Sequence, residues 1–401
     1  MLDYLTDPLL RGPTLGSVLM AIGAALVGAL TYVRGRSLLG ETLSHAAYPG
    51  VVGAVALGLT GFGYLIGGFA CALLGLLLMR GLERRKVATD AALTFVLALF
   101  FGIGVTLASR VQFLAPSAYR QALSLLYGQA ATMTDLHLLL YGGLTLLIIA
   151  TLLLFYRPLK LAAFDPHFAR SCGISLRFSD TLLFTLIALS VVMGIRSVGV
   201  VLISAMLVAP AVAARPLVRT LSALLIVSAV VGGASAFIGV VLSTHWALPT
   251  GPLIVLTGST LALTSLALAP RKGLLPAALR RLRFSLQIGE EHLLKALWKG
   301  ERVSPSRQLK RLQREGWVDW KGGEAELTRD GRQRAERIVR LHRLWEVYLV
   351  DTLGIGPERV HRSAEEMEHI LTPELERRLD TLLEHPQEDP HSSPIPRGRS
   401  I

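Results

Sequence analysis

The chain has 401 residues, of which 52% are hydrophobic and only 17% are charged, against about 25% charged in an ordinary soluble domain. This composition excludes a disordered chain and argues against a wholly soluble enzyme. The net charge of +12 is spread unevenly: residues 1–270 hold 16 Lys/Arg and 8 Asp/Glu, and the remaining residues hold 25 and 21. The first part therefore suits lipid as its solvent, and the second part suits water.

Apolar segments predict an all-α polytopic membrane protein with about nine transmembrane helices, since about 20 apolar residues cross a bilayer core. The sixth and seventh segments are the least certain pair. Only Arg196 and Ser197 separate them, and Pro210 interrupts the second of them. The segments are 14–33, 38–60, 62–79, 90–109, 136–155, 179–195, 197–214, 219–242 and 251–269.

Basic residues follow every odd-numbered segment, from Arg34 and Arg36 after the first to Arg271 and Lys272 after the ninth. Loops rich in Lys and Arg remain on the cytoplasmic side of a membrane. We therefore expect the N-terminus outside and the polar C-terminal part inside the cell.

Glu41 and His45 are four residues apart at the start of the second segment, SLLGETLSHAAYPG. This spacing puts both side chains on one helix face. A carboxylate and an imidazole there can bind Mn²⁺, Fe²⁺ or Zn²⁺. Alternatively, Glu41 simply lies near the cytoplasmic interface and His45 is a hydrogen-bonded core histidine.

The polar stretch FDPHFARSCGI lies between the fifth and sixth segments. Asp165 and Pro166 indicate a helix start, with the Asp as cap and the Pro in the first turn. An ordinary amphipathic helix in a loop would explain this pattern without any special function. No GxxxxGK[ST] sequence occurs, so the chain binds no ATP through a P-loop.

Four stretches together resemble the permease subunits of ABC-type manganese, zinc and iron uptake systems. They are RGRSLLGETLSHAAYPGVVGA, SLLYGQAATMTDLHLL, VVMGIRSVGVVLISAMLVAPAVAARPL and LPTGPLIVLTGSTLALTSLALAP, which come in the family's order within residues 14–272. The resemblance implies an ABC importer permease fold in a bacterial inner membrane. It also implies a metal path at Glu41 and His45, where the acid of the family is often Asp.

The same resemblance implies partners and no catalytic residues on this chain. The expected partners are an ABC ATPase subunit, an extracytoplasmic metal-binding protein, a second permease in a homodimer or heterodimer, and the lipid bilayer. The stretch around FDPHF would be the coupling helix that docks into the ATPase. Its implied coupling residues are Asp165, Pro166, Ala169 and Gly173.

The part after the permease domain, 1–272, begins with a basic juxtamembrane linker at 273–289, for which contact with anionic lipid is plausible. Residues 290–328 predict two helices and a hairpin with Gly322-Gly323 as the turn, the order of a reduced winged-helix module. A mostly helical domain follows at 329–385, and the Pro- and Ser-rich tail at 386–401 is predicted to be flexible.

Six potential metal ligands follow helical spacing in this part. His342 and Glu346 are one turn apart, and four more fall on one face of a later helix: His361, Glu365, Glu368 and His369. Nitrogen and oxygen ligands suit Mn²⁺ or Fe²⁺ better than a thiolate-seeking metal, although Zn²⁺ stays possible. The alternative is a charged helix face with incidental histidines.

Residues 327–396 resemble the metal-binding and dimerisation domain of diphtheria-toxin-repressor-like regulators. The resemblance implies that these six residues form two ligand groups and that Glu291 falls near a ligand position on the first helix. Glu365 stands where iron-type members have Cys, as in manganese-type members. Only about twenty residues, 300–319, replace the family's complete helix-turn-helix, so sequence-specific DNA binding is not expected.

The leading hypothesis is a metal permease with a built-in cytoplasmic sensor that feeds back on transport. The first alternative is a permease fused to a metal-dependent DNA-binding transcriptional regulator. The second is a dimerisation clamp whose metal site is vestigial.

Overall fold

The computed structural model describes residues 7–59, 62–270, 272–321, 324–356 and 372–396, with the single positions 358, 360, 364 and 367. The chain divides into two compact units, Met1–Pro276 and Ala277–Ile401. The secondary structure is helical except for one small hairpin in the described ranges. The predicted all-α class is therefore confirmed.

The membrane unit begins with α1, which Asp7 caps by accepting a hydrogen bond from the Leu9 backbone. A 3₁₀ turn at Ala130–Thr132 precedes α6. The helices are α1 Pro8–Val33, α2 Leu38–Ala56, α3 Phe62–Arg84, α4 Thr89–Leu114, α5 Pro116–Tyr127, α6 Asp135–Leu154, α7 Tyr156–Phe164, α8 Pro166–Ser171, α9 Leu176–Ser197, α10 Ile203–Ala214, α11 Leu221–Trp246 and α12 Thr250–Leu268.

Seven helices in the described residues are long and apolar enough to cross a membrane: α1, α3, α4, α6, α9, α11 and α12. The predicted count of nine is not confirmed. The segment predicted at 197–214 forms only the 12-residue helix α10, which is about 18 Å long. α2 has 19 residues, but Glu41 and His45 lower its hydropathy.

The membrane helices approach one another through glycines. A Cβ atom on Gly28 of α1 would lie 1.9 Å from the Leu207 carbonyl oxygen of α10, and one on Gly50 of α2 would lie 2.1 Å from that of Gly67 on α3. Small residues permit such backbone contact, which drives helix packing in lipid. α2, which carries Glu41 and His45, is thereby held against α3 on one side and packs on α4 as well.

The second unit contains α13 Leu274–Trp298, α14 Arg307–Arg314, β1 Val318–Lys321, β2 Glu324–Leu327, α15 Arg329–Asp351 and α16 Pro373–Leu382. The basic linker predicted at 273–289 is helical and continuous with the helix predicted after it. β1 and β2 pair antiparallel, with Val318 opposite Leu327. The turn predicted at Gly322-Gly323 lies outside the described residues.

The helices α13, α14 and α15 and the hairpin share one apolar core. Leu294, Leu309, Leu312, Val318, Ala335 and Ile338 form it. Residues 299–317 are all described, and α14 is the one helix between Trp298 and β1. The structure therefore places one helix of eight residues, α14, between α13 and the hairpin.

The tail predicted to be flexible at 386–401 is docked over its described part, residues 386–396. The Ile395 side chain is 6% exposed and packs in a cluster with Leu344 and Val347 of α15. Arg340 donates a hydrogen bond to the Pro396 carbonyl at 2.7 Å. The composition predicted a flexible segment because the segment is rich in Pro and Ser. In the structure, the Ile395 side chain packs on α15 and a backbone carbonyl accepts a hydrogen bond from it.

Candidate metal sites

The first candidate site lies on α2, where Glu41 is in the first turn and His45 is one turn later. Both side chains are partly buried. The His45 ring meets the Phe101 ring of α4 edge-on, with centroids 4.8 Å apart and an interplanar angle of 75°. His45 Nδ1 is buried and has no hydrogen-bond partner among the described residues. Leaving a buried polar atom unsatisfied costs about 1–3 kcal/mol, so this nitrogen is suited to a ligand.

Sequence reasoning did not consider the backbone carbonyl of His45. Pro49 lies inside α2 and has no N–H, so it cannot close the helical hydrogen bond to the carbonyl four residues earlier. That carbonyl belongs to His45. The proline four residues after the histidine was the available signal, because the missing bond follows from the spacing alone.

The start of α9 is contacted by two arginines, Arg34 at the end of α1 and Arg80 of α3. Arg34, whose side chain is 8% exposed, pairs with Asp180. The Arg80 guanidinium lies 4.9 Å from the Phe184 ring centroid and donates to Thr181 at 3.2 Å. Sequence reasoning used arginines of this region only to orient the helices, since their partners lie about 100 residues or more away in the chain.

The stretch predicted to couple to an ATPase forms the short helix α8. The Asp165 carboxylate accepts a hydrogen bond from the Phe168 backbone at 2.9 Å, and Pro166 occupies the first turn. Gly173 ends the helix with a φ of +77°, a left-handed conformation that favours glycine. The predicted cap and proline positions therefore agree with the observed helix.

The two faces of α8 differ in exposure. Ala169 is fully buried, so it packs within the membrane unit, whereas Phe168 is 53% exposed and the preceding Phe164 is 61% exposed. Large exposed aromatic residues are common anchors of protein interfaces. The exposed aromatic surface of this region is formed by the two phenylalanines, which sequence reasoning did not single out.

The second candidate site lies on α15. His342 is 5% exposed and Glu346 is 2% exposed, and His342 Nε2 lies 3.2 Å from Glu346 Oε1. Lys295 of α13 is also buried, and its Nζ lies 3.3 Å from His342 Nδ1. The structure thus brings together two predicted ligands and a lysine that sequence reasoning did not consider.

Glu291 is buried on α13, where its carboxylate contacts Gln287 of the same helix and Arg334 of α15. Its Oε1 accepts a hydrogen bond from Gln287 at 2.9 Å and lies 3.4 Å from Arg334 Nη2. The Arg334 guanidinium in turn stacks 4.0 Å from the Trp317 ring centroid. An arginine at this carboxylate favours a structural ion pair for Glu291.

The other four predicted ligands, His361, Glu365, Glu368 and His369, lie outside the described residues. Within the described ranges, no group of three or more His, Cys, Asp or Glu side chains is arranged to hold a metal. Glu41 with His45, and His342 with Glu346, are therefore pairs in the part of the chain that the structure describes.

The long apolar helices of the described residues define a polytopic membrane protein. Residues 6–269 match the ABC 3 transport family, and the chain belongs to that family. Residues 328–397 match the iron dependent repressor, metal binding and dimerisation domain. Both resemblances noted in the sequence are confirmed.

Similarity to curated proteins extends through both units. A probable metal transport system membrane protein of Chlamydia trachomatis is 36% identical, covering 98% of this chain and 97% of its own length. The manganese transport system membrane protein MntC of Bacillus subtilis is 30% identical over 85% of this chain and 84% of its own.

Among solved structures, PsaBC from Streptococcus pneumoniae in complex with Fab matches with a TM-score of 0.61 and 27% identity. The match covers 68% of this chain and 96% of that one. The matched fraction of this chain is close to the fraction that the membrane unit makes up. The predicted ABC permease fold is confirmed.

Proposed function

We propose that this chain is the membrane subunit of an importer for a divalent transition metal, Mn²⁺, Fe²⁺ or Zn²⁺, and that the ion passes Glu41 and His45. The names of its relatives support a metal cargo. The observation that carries the proposal is the buried His45 Nδ1, which has no hydrogen-bond partner in the described residues and lies one helical turn from a carboxylate.

The proposed metal ligands on α2 suit an ion that must bind and then leave. An imidazole nitrogen, a carboxylate and the carbonyl released by Pro49 are ligands that these metals accept. Three protein donors leave part of the coordination shell to water, which keeps the ion from being trapped. Passage through a membrane requires binding that is favourable enough for entry and weak enough for exit.

We further propose that a separate ABC ATPase drives transport and docks against α8, where Phe164 and Phe168 are exposed. An extracytoplasmic binding protein would deliver the metal, and a second permease copy or homologue would complete the pathway. The basic loops support an orientation with the N-terminus outside and the repressor-like unit in the cytoplasm.

The second unit is proposed to sense cytosolic metal and to restrain uptake when metal is plentiful. His342 and Glu346 supply buried nitrogen and oxygen donors that fit Mn²⁺ or Fe²⁺. A bound metal would supply a divalent charge that draws carboxylate and imidazole ligands together. The single helix α14 between α13 and the hairpin does not favour the alternative of a sequence-specific DNA-binding regulator, because base readout needs a presented recognition helix.

The path is tested by metal uptake into proteoliposomes that contain the chain, its ATPase and its binding protein. We expect Glu41→Gln and His45→Asn each to lower the rate of ⁵⁴Mn²⁺ uptake by about 100-fold, since the loss of one metal ligand or its partner costs about 10–100-fold in metal affinity. Asp90→Asn, which changes an exposed carboxylate on α4, is the matched control. Uptake at the wild-type rate in both variants would overturn the proposed path.

The sensor is tested with the same vesicles loaded inside with low or high Mn²⁺. Wild-type uptake should fall several-fold at high internal metal, within the roughly 5–150-fold range of allosteric couplings. His342→Gln should remove this response and leave uptake at low internal metal unchanged. An equal response in wild type and variant would sink the feedback proposal without touching the transport path.

A further inference from the structure

Lys295 of α13 lies in the interior of the cytoplasmic unit. The residue is 8% exposed and is nearly as buried as His342 and Glu346 of α15. Lysine is almost never fully buried unless it is paired, because taking an ammonium group out of water is costly. Its Nζ lies 3.3 Å from Nδ1 of His342.

The direction of the hydrogen bonds follows from the chemistry of these groups. An ammonium group can only donate, so His342 Nδ1 accepts from Lys295. The proton of the neutral imidazole is then on Nε2, which donates to Glu346 Oε1 at 3.2 Å. A positive group, a neutral ring and a carboxylate therefore form one connected series, and both ring nitrogens of His342 are in use.

We propose that Lys295 is an internal cation that stabilises the metal-free site and competes directly with a divalent metal for His342 and Glu346. This inference rests on the proposed sensor function of the same site. A metal binds a nitrogen lone pair, but Lys295 occupies the lone pair on Nδ1 and a proton occupies Nε2. Metal entry thus requires Lys295 to withdraw or the ring to rearrange.

Charge reinforces this competition. Through His342, the ammonium supplies part of the positive charge that the buried Glu346 carboxylate needs, so the metal-free site is partly compensated. A divalent ion placed beside an ammonium group that has not withdrawn is repelled, and the repulsion between like charges is strong where water is excluded. Lys295 consequently weakens the site and raises the metal concentration at which the sensor responds.

The experiment uses the full chain in lipid nanodiscs, with Glu41→Gln in every sample so that the membrane pair contributes little binding. Free Mn²⁺ is followed by electron paramagnetic resonance during titration. We expect Lys295→Met to bind Mn²⁺ about 10–100-fold more tightly, the range over which groups that contact metal ligands change affinity. Lys299→Met, an exposed lysine four residues later, is the matched control and should titrate like the parent.

A second readout follows the thermal unfolding of the same samples in EDTA. Lys295→Met should unfold at a lower temperature than the parent without metal, and Mn²⁺ should raise its midpoint by more than it raises that of the parent. Lys295→Arg, which keeps the positive charge, should gain no affinity. Should Lys295→Met fail to fold, Lys295→Gln gives the same comparison with an uncharged donor.

The outcomes separate this inference from the sensor itself. Equal Mn²⁺ affinity in the parent and in Lys295→Met would overturn the role of Lys295 and leave the sensor intact. Binding by Lys295→Met but not by the parent would support it in its strongest form. No binding in either sample would overturn both the internal cation and the sensor.

Discussion

The chain carries two acid–histidine pairs of the same four-residue spacing, and they lie in opposite surroundings. On α2, His45 is next to the Phe101 ring, and its Nδ1 has no hydrogen-bond partner in the described ranges. On α15, His342 is bonded to Lys295 through one nitrogen and to Glu346 through the other. Equal spacing therefore produces an open pair in one unit and an occupied pair in the other.

The two pairs differ in the side chain that packs against each histidine, which is Phe101 for His45 and Lys295 for His342. A phenyl ring excludes water and offers no competing hydrogen bond, so the α2 pair stays available to a passing ion. On α15, Lys295 contacts one ring nitrogen of His342 and Glu346 contacts the other, so under the proposal a metal binds only if Lys295 withdraws or the ring rearranges. The first arrangement suits a cargo at low concentration, and the second suits a response that begins once metal has accumulated.

The open pair can be given the same kind of group that contacts the other histidine, an ammonium group. We expect Phe101→Lys to lower Mn²⁺ uptake by at least about 100-fold, because an ammonium group beside His45 would compete with and repel the ion. Phe101→Leu removes the ring without adding charge and should retain uptake to within a few-fold. Transport rates in proteoliposomes, with folding checked by thermal unfolding, measure both. Comparable uptake by the two variants would contradict the account of the open pair.

The occupied pair is probed by removing its carboxylate. We expect Glu346→Gln to lower the free energy of unfolding of the cytoplasmic unit by about 2 kcal/mol in EDTA, since a buried charge-assisted hydrogen bond is worth about 1.5–3 kcal/mol. Adding Lys295→Met should recover part of this loss, because the ammonium then no longer lacks its counter-charge. Denaturant titration of the full chain gives the double-mutant cycle.

Glu301→Gln, at an exposed carboxylate just after α13, is the control for that cycle and should change the stability little. If the two substitutions at Glu346 and Lys295 add without coupling, the connected series of charges does not stabilise the unit.

We expect a smaller effect on uptake from the His45 carbonyl, which lacks its helical hydrogen bond because of Pro49. Pro49→Ala restores the N–H that closes the helical bond to His45, so we expect uptake at low Mn²⁺ to fall by about tenfold, the lower end of the range for losing a ligand. The same change should stabilise α2, because proline inside a helix costs about 3 kcal/mol. Pro210→Ala in α10 should stabilise without raising the KM for metal. An unchanged KM in Pro49→Ala would remove the carbonyl from the proposed ligand set.

Local sequence patterns determined much of this protein. Hydropathy located the membrane helices, and the residues Asp165 and Pro166 fixed the start of α8, because capping depends on neighbours within one turn. The alternating segments on either side of Gly322-Gly323 indicated β1 and β2. The i,i+4 spacing identified both acid–histidine pairs. Hydropathy was less reliable where polar residues interrupt a segment, as in α2, and where the chain leaves the helix before Ile203.

Only the tertiary structure decided which distant side chains pack against the residues of each pattern. Phe101 is 56 residues from His45, and Lys295 is 47 residues from His342, so no spacing rule connects them. Glu291 and Arg334, which form an ion pair, are also far apart in the sequence. Ile395 is likewise far from the α15 residues on which it packs. The sequence by itself determined which residues share a helix face, because helical periodicity is local. Only the packing of one helix against another decided whether a shared face stays open to a metal or is already neutralised by a neighbouring charge.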